Sequence, residues 1–194
     1  MKTTFKTCLV AIALLIGVNT YAQDQPVTFG VKAGVNLSNV GGDASGTDAK
    51  IGFNAGVTLD YGFTPDVYLL TGLQLTTKGF KVKVLSEKLT SNLMYLQLPV
   101  HVGYKLTVAE ATKIVFHAGP YAAYGIGGKT EGEKSFQDGA YKKFDFGVGL
   151  GVGAEFGKIG VDLGYDFGLA NINDTDVDGK LKNMNAYLTL GYKF

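Results

Sequence analysis

The sequence holds a single cysteine, no arginine, four prolines and a formal net charge of only +1. Each shortage removes a class of function. Cys8 lies in an N-terminal apolar run that is expected to be removed, which leaves no disulfide, thiolate nucleophile or cysteine metal site. Without arginine there are no bidentate clamps for phosphate or carboxylate. A near-zero net charge gives no strong overall field toward nucleic acid. What is abundant is glycine, with 28 residues, alongside 11 tyrosines and 12 phenylalanines. Many small side chains and many aromatics with little proline point to β-structure.

The first 25 residues read MKTTFKTCLVAIALLIGVNTYAQDQ. Lys2 and Lys6 precede an apolar stretch from Cys8 to Val18, and Thr20 and Ala22 stand at the small-residue positions of a cleavage site. Residues 1–22 are therefore expected to be a signal peptide, with one mature domain over 23–194. The stretch is short for a transmembrane anchor, and Thr-Phe-Lys-Thr before Cys8 is not a lipobox.

Residues 144–169, FDFGVGLGVGAEFGKIGVDLGYDFGL, contain GLGVGA, which matches a dinucleotide-binding fingerprint. That fingerprint needs a strand, the glycines and then a helix. Here the flanks alternate with a period of two, the signature of a strand. Phe144, Phe146, Val148, Leu150, Val152, Ala154 and Phe156 share one face, opposite Asp145, four glycines and Glu155. GIGGKT, at 125–130, lacks the first P-loop glycine because Ala123 occupies its place.

The same alternation covers segments 27–38, 50–63, 93–106, 113–127, 158–169 and 184–194, and less cleanly 67–84, where Leu73 and Leu75 oppose Gln74, Thr76 and Lys78. With 144–156 this makes eight strands. Tight connectors at Thr64-Pro65, Val108–Ala111 and Gly157-Lys158 alternate with polar ones at 39–49, 128–143 and 170–183, and with a shorter one near Ser86–Asn92. Long loops at one end and short turns at the other mark an outer-membrane barrel. The fold class expected is all-β, an eight-stranded antiparallel up-and-down transmembrane β-barrel. A soluble barrel would turn the polar face to water, which calls for dense charge. This polar face is mainly Gly, Asn, Thr and Gln, which suits a narrow lumen. The apolar face ends in aromatics (Phe144, Phe146, Phe156, Tyr61, Phe63, Tyr192, Phe194), as interfacial girdles do.

Several segments then carry a family resemblance: GVKAGVNLSN, LTGLQLTTKG, YLQLPVHVGYKL and FHAGPYAAYGIGG. Together they resemble the PorT-type outer-membrane β-barrel family of Bacteroidetes. The resemblance implies location in the cell outer membrane, contact with its lipid, and insertion by the barrel-assembly machinery. Tyr192 and Phe194 resemble that machinery's C-terminal insertion signal, although Thr189 stands where such signals often carry glycine. It does not carry a secretion role over to this chain.

Lumen parity joins Asp60, Asp145, Glu155, Asp162 and Asp166 with Lys32, Lys78, Lys105, Lys113 and Lys193. An acid/base pair is one reading. An ion-pair network that fills the lumen is the other, and the one preferred. His101 and His117 become cross-strand neighbours if the Val108–Ala111 turn centres near Ala109. They are then weak metal candidates, with a hydrogen-bonded pair as the plainer outcome.

No cofactor, enzyme activity or nucleic-acid partner is expected. The expected function is structural or interactive, with a largely plugged lumen and with 39–49, 128–143 and 170–183 as the surface for an envelope or extracellular partner. The alternative is a narrow porin-like channel for small solutes. In 144–169 the Gly157-Lys158 turn should set Glu155 opposite Gly160, Asp162 opposite Gly153 and Asp166 opposite Gly149. The carboxylates would then reach lysines on other strands.

Overall fold

A computed structural model describes residues 27–43, 46–84, 87–130, 133–136, 141–174 and 179–194. The expected signal peptide, residues 1–22, lies outside them. The strands are β1 Val27–Gly42, β2 Thr47–Gly62, β3 Val67–Val84, β4 Glu87–Ala109, β5 Thr112–Thr130, the two-residue β6 Glu133–Lys134, β7 Phe144–Phe156, β8 Ile159–Gly168 and β9 Leu181–Lys193. All pairings are antiparallel, in the order β4-β3-β2-β1-β9-β8-β7-β5, and β4 also pairs with β5. The sheet is therefore a closed eight-stranded barrel, with β6 a short ladder on the end of β5. Closure leaves no unpaired strand edge along the wall, which a hydrocarbon environment requires.

The faces are inverted relative to a water-soluble protein. Val35, Phe53, Leu98, Val102, Leu150, Leu163 and Leu190 point outward and are exposed, whereas Asn36, Asn54, Gln97, Asp145 and Asn185 are buried inside. An exposed apolar belt of this extent has no place in water. In lipid it is the surface that the bilayer stabilises.

Two expectations are corrected, and one irregularity finds its cause. First, the strands run beyond the hydrocarbon, which about ten tilted residues would cross. Ser86–Asn92 is not a connector: β4 begins at Glu87, and its pairing with β3 continues to Val84↔Glu87. Residues 39–42, 47–49, 128–130 and 181–183 of the expected loops are strand as well. Above the membrane both faces of a hairpin can be polar, so the apolar–polar period stops before the strand does. Second, the uneven alternation in β3 has a local cause. The register shifts between Ala49 and Asn54 of β2, and the Thr77 hydroxyl fills the irregularity. It donates to the Phe53 carbonyl at 3.1 Å and accepts from the Phe53 amide at 2.8 Å. Third, β4 and β5 meet at Ala109↔Thr112, with a shift between Thr107 and Ala109. His117 consequently pairs with Gly103 and not with His101.

The β7–β8 hairpin has the expected register: Phe156↔Ile159, Glu155↔Gly160, Asp162↔Gly153 and Asp166↔Gly149. Gly157 takes the first turn position at φ +58°, a left-handed conformation that favours glycine.

Candidate functional site

The lumen is layered, starting from the end with the short turns. In the lowest layer Lys193 bonds both Asp60 and Glu155. Lys105 lies 3.6 Å from Asp60 and 3.9 Å from Glu155, with its ammonium 4.4 Å from the centre of the Tyr68 ring. Two ammonium groups and two carboxylates thus neutralise one another where water can still enter. Lys113 is in register with Glu155, yet forms no ion pair within 4.0 Å among the described residues.

One layer up, Asp162 Oδ1 is 3.0 Å from His117 Nε2, and His117 Nδ1 is 2.9 Å from His101 Nδ1. The rings stack with centroids 5.1 Å apart and planes 20° apart. Although the register differs from the expected one, diagonal neighbours on one face remain within reach of ring side chains. The carboxylate can only accept, so His117 Nε2 carries a proton. With neutral rings, His117 Nδ1 then accepts and His101 Nδ1 donates. This is an orienting chain, Asp162–His117–His101, inside the lumen. His101 Nε2 has no hydrogen-bond partner among the described residues. No group of three or more metal-ligating side chains occurs among them, and the nitrogens that face each other bond to each other.

Below the histidines a cavity of about 70 Å³ is lined by residues including Lys32, Asp60, Tyr68, His117, Glu155 and Asp162. That is room for on the order of five waters. The Lys32 ammonium sits 5.9 Å from the centre of the Tyr187 ring and makes no ion pair within 4.0 Å among the described residues.

Higher still, Gln97 Nε2 donates to Asp166 at 3.0 Å, and Asn36 donates to Asn185 at 2.7 Å. Then comes the most buried ion pair. Lys78 Nζ is 3.1 Å from Asp145 Oδ2, and both side chains are 0% exposed. Asn183 donates to the same oxygen at 2.9 Å, and the ammonium lies 4.4 Å from the Tyr121 ring centre. Of the three carboxylates set opposite glycines in this hairpin, Glu155 takes lysines among the described residues. Asp162 and Asp166 take a histidine and a glutamine.

Above this layer the lumen turns apolar. Val40, Phe80, Leu93, Tyr95, Tyr121, Ala123 and Ile172 form one buried cluster, with Phe136, Tyr141 and Leu181 packed on it. Phe136 and Ile172 come from the expected loops. Phe136 meets Tyr95 edge-on at 5.5 Å. Ile172 is held by its amide on Leu181 O and its carbonyl under Lys142 N, at 2.8 and 2.9 Å. Parts of 128–143 and 170–183 therefore fold inward as a cap.

Sequence reasoning missed this cap, because Phe136 and Ile172 stand alone in polar stretches. It also gave little weight to the tyrosines, although Tyr68, Tyr95, Tyr121 and Tyr187 share the parity of the polar lumen residues. The glycines of β7 belong to these rings. A Cβ on Gly151 would collide with His117. One on Gly149 would lie 2.9 Å from His101 Nε2, and one on Gly147 would lie 2.8 Å from Tyr121 Cε1. A Cβ on Gly149 would also lie 2.7 Å from Asp166 Oδ1, so these glycines make room for lumen rings and for a carboxylate alike.

Tyr192 and Phe194 face outward at the end of β9, with rings 5.6 Å apart, and the Phe194 amide bonds Phe29 O at 2.9 Å.

Residues 21–174 match the family model described as outer membrane protein beta-barrel domain. The chain belongs to that family. Membership supports a place in the outer membrane for this barrel. No characterised protein sequence matches the chain. Among solved structures it is similar to Neisserial surface protein A at 16% identity, with 88% of this chain and 100% of that one covered and a TM-score of 0.56. It is also similar to Ail, the attachment invasion locus protein of Yersinia pestis, at 18% identity over 88% and 100% with a TM-score of 0.47. A third is the outer membrane enzyme PagL, at 14% identity over 83% and 98% with a TM-score of 0.48. At such identities the likeness concerns the fold.

Proposed function

We propose that the chain is a non-conducting outer-membrane barrel with a structural or interaction role, whose extracellular segments form its contact surface. One observation carries the reading. Paired side chains occupy the lumen in successive layers, and the apolar cluster on Tyr95, Phe136 and Ile172 covers its extracellular end. A narrow porin-like channel needs a continuous wet path. Here the cavity near Lys32 lies beneath the histidine pair and the Lys78–Asp145 layer. No catalytic role is proposed. The Asp162–His117–His101 chain resembles the orienting half of a hydrolase triad, but no hydroxyl or thiol bonds His101 Nε2 among the described residues. Within the family, YLQLPV and AGPYAAYG support a place among PorT-type barrels. Export through residues 1–22 and insertion by the barrel-assembly machinery through Tyr192 and Phe194 belong to the same reading.

Solute entry into proteoliposomes tests it. Vesicles holding the refolded chain and diluted into isotonic arabinose should swell no faster than protein-free vesicles. Swelling that scales with protein content and falls with sugar size would favour the channel.

A further inference from the structure

The net charge of +1 conceals a local concentration of lysine on the outer wall, at the end that carries the long connections. Asn92 of β4 is in register with Gly79 of β3 on one side and Lys129 of β5 on the other, and Lys129 is in register with Lys134 of β6. The buried neighbours of Asn92, Ser91 and Leu93, point inward, so this row lies on the outward face. The Lys50 side chain crosses the wall where Gly79 has none: its Cδ lies 3.3 Å from where a Cβ would stand. It ends 3.0 Å from Asn92 Oδ1. Lys81 follows two residues after Gly79 on the same face. Asp48, opposite Lys81, offsets part of the charge there, which leaves Lys50, Lys129 and Lys134 as the concentrated group. Among the described residues, none of the Lys50, Lys129 and Lys134 ammonium groups has a carboxylate within 4.0 Å, unlike Lys78, Lys105 and Lys193 of the lumen. A cleft of about 580 Å³ opens beside them, lined by residues including Asn92, Gly127, Lys129, Lys134, Phe136 and Lys143.

Height on the wall identifies the partner. Tyr124 and Ile126 of β5 and Phe144 of β7 are exposed and outward, and they end the apolar belt on this side. Lys129 follows Ile126 by three residues, roughly 7 Å along the membrane normal for a strand tilted near 45°. That is headgroup depth, since the polar layer of each leaflet is about 5–8 Å thick. Lysine suits phosphate as a point charge.

We infer that this rim binds the phosphate-bearing headgroup of an outer-leaflet lipid. Lys50, Lys129 and Lys134 hold the phosphate, and the acyl chains lie on Leu96, Tyr124 and Ile126.

Native mass spectrometry of the refolded full chain in a neutral detergent tests this. Dioleoylphosphatidic acid is the probe, dioleoylphosphatidylcholine the neutral comparison, and glycerol 3-phosphate the soluble phosphate. Phosphatidic acid should be retained about a hundredfold better than phosphatidylcholine, each of the three lysines near the surface contributing about fivefold. The variant K50Q/K129Q/K134Q should lose roughly a hundredfold. K129Q/K134Q, at two exposed positions, should lose roughly 25-fold. Lys158→Gln, at the opposite end, should lose nothing. Equal retention by K129Q/K134Q would overturn the site. Binding of glycerol 3-phosphate as tight as that of the lipid would overturn the lipid assignment.

Discussion

Asp145→Leu is expected to destabilise the barrel by about 3–5 kcal/mol, the cost of leaving a buried charge without its partner. Lys78 is 0% exposed and depends on Asp145 Oδ2, while Tyr95 and Tyr121 offer it only ring faces at 5.4 and 4.4 Å. Asn183 loses its 2.9 Å acceptor at the same time and keeps only the Tyr95 hydroxyl at 3.4 Å. The pair need not be stabilising relative to an apolar one, because both ions were taken from water. Lys78→Met combined with Asp145→Leu should therefore recover most of the loss, or all of it. Urea unfolding of the refolded chain in vesicles measures both variants. A loss below about 1 kcal/mol for Asp145→Leu, within the range of an exposed pair, would show that the layer is not sealed from water. A double variant no better than the single one would show that the carboxylate matters for something other than Lys78.

The second large effect falls on the glycines. Gly151→Ala should cost about 1–3 kcal/mol, as overpacking does. The new methyl would enter the space of His117, which Asp162 and His101 hold from two sides and which cannot swing aside. Gly160→Ala on the neighbouring strand is the internal comparison. Nothing there comes closer than 3.9 Å to the added Cβ. Since glycine inside a strand costs roughly 0.5–1 kcal/mol against alanine, Gly160→Ala should be neutral or mildly stabilising. Adding His117→Ala to Gly151→Ala should return part of the lost stability. If the two glycine substitutions behave alike, space for lumen rings is not why β7 is rich in glycine.

How far the sequence reaches differs from element to element. The barrel, the two faces and the β7–β8 register are legible because alternation along 144–169 is unbroken and a two-residue glycine turn fixes the pairing. The β4–β5 register is not, because the turn lies at Glu110-Ala111, beyond Ala109, which moves each partner by two residues without changing which face a side chain occupies. That is also why His101 and His117 meet although their pairing was misplaced. The strand ends above the membrane are illegible by period, since both faces of a hairpin are wet there. Lumen partners follow parity only in part: Lys78 with Asp145 and Lys193 with Glu155 could be guessed as opposite charges. The neutral partners of Asp162 and Asp166 depend on how high each residue sits in the barrel. The cap needs tertiary information altogether, because Phe136 and Ile172 belong to no repeating pattern.

The central claim is that the lumen is closed by its own side chains, and planar-bilayer recording of the refolded full chain tests it most directly. The account predicts a flat current, with no unitary steps across the voltage range the bilayer tolerates. Reproducible single-channel steps of one amplitude, proportional to the number of inserted barrels, would contradict it.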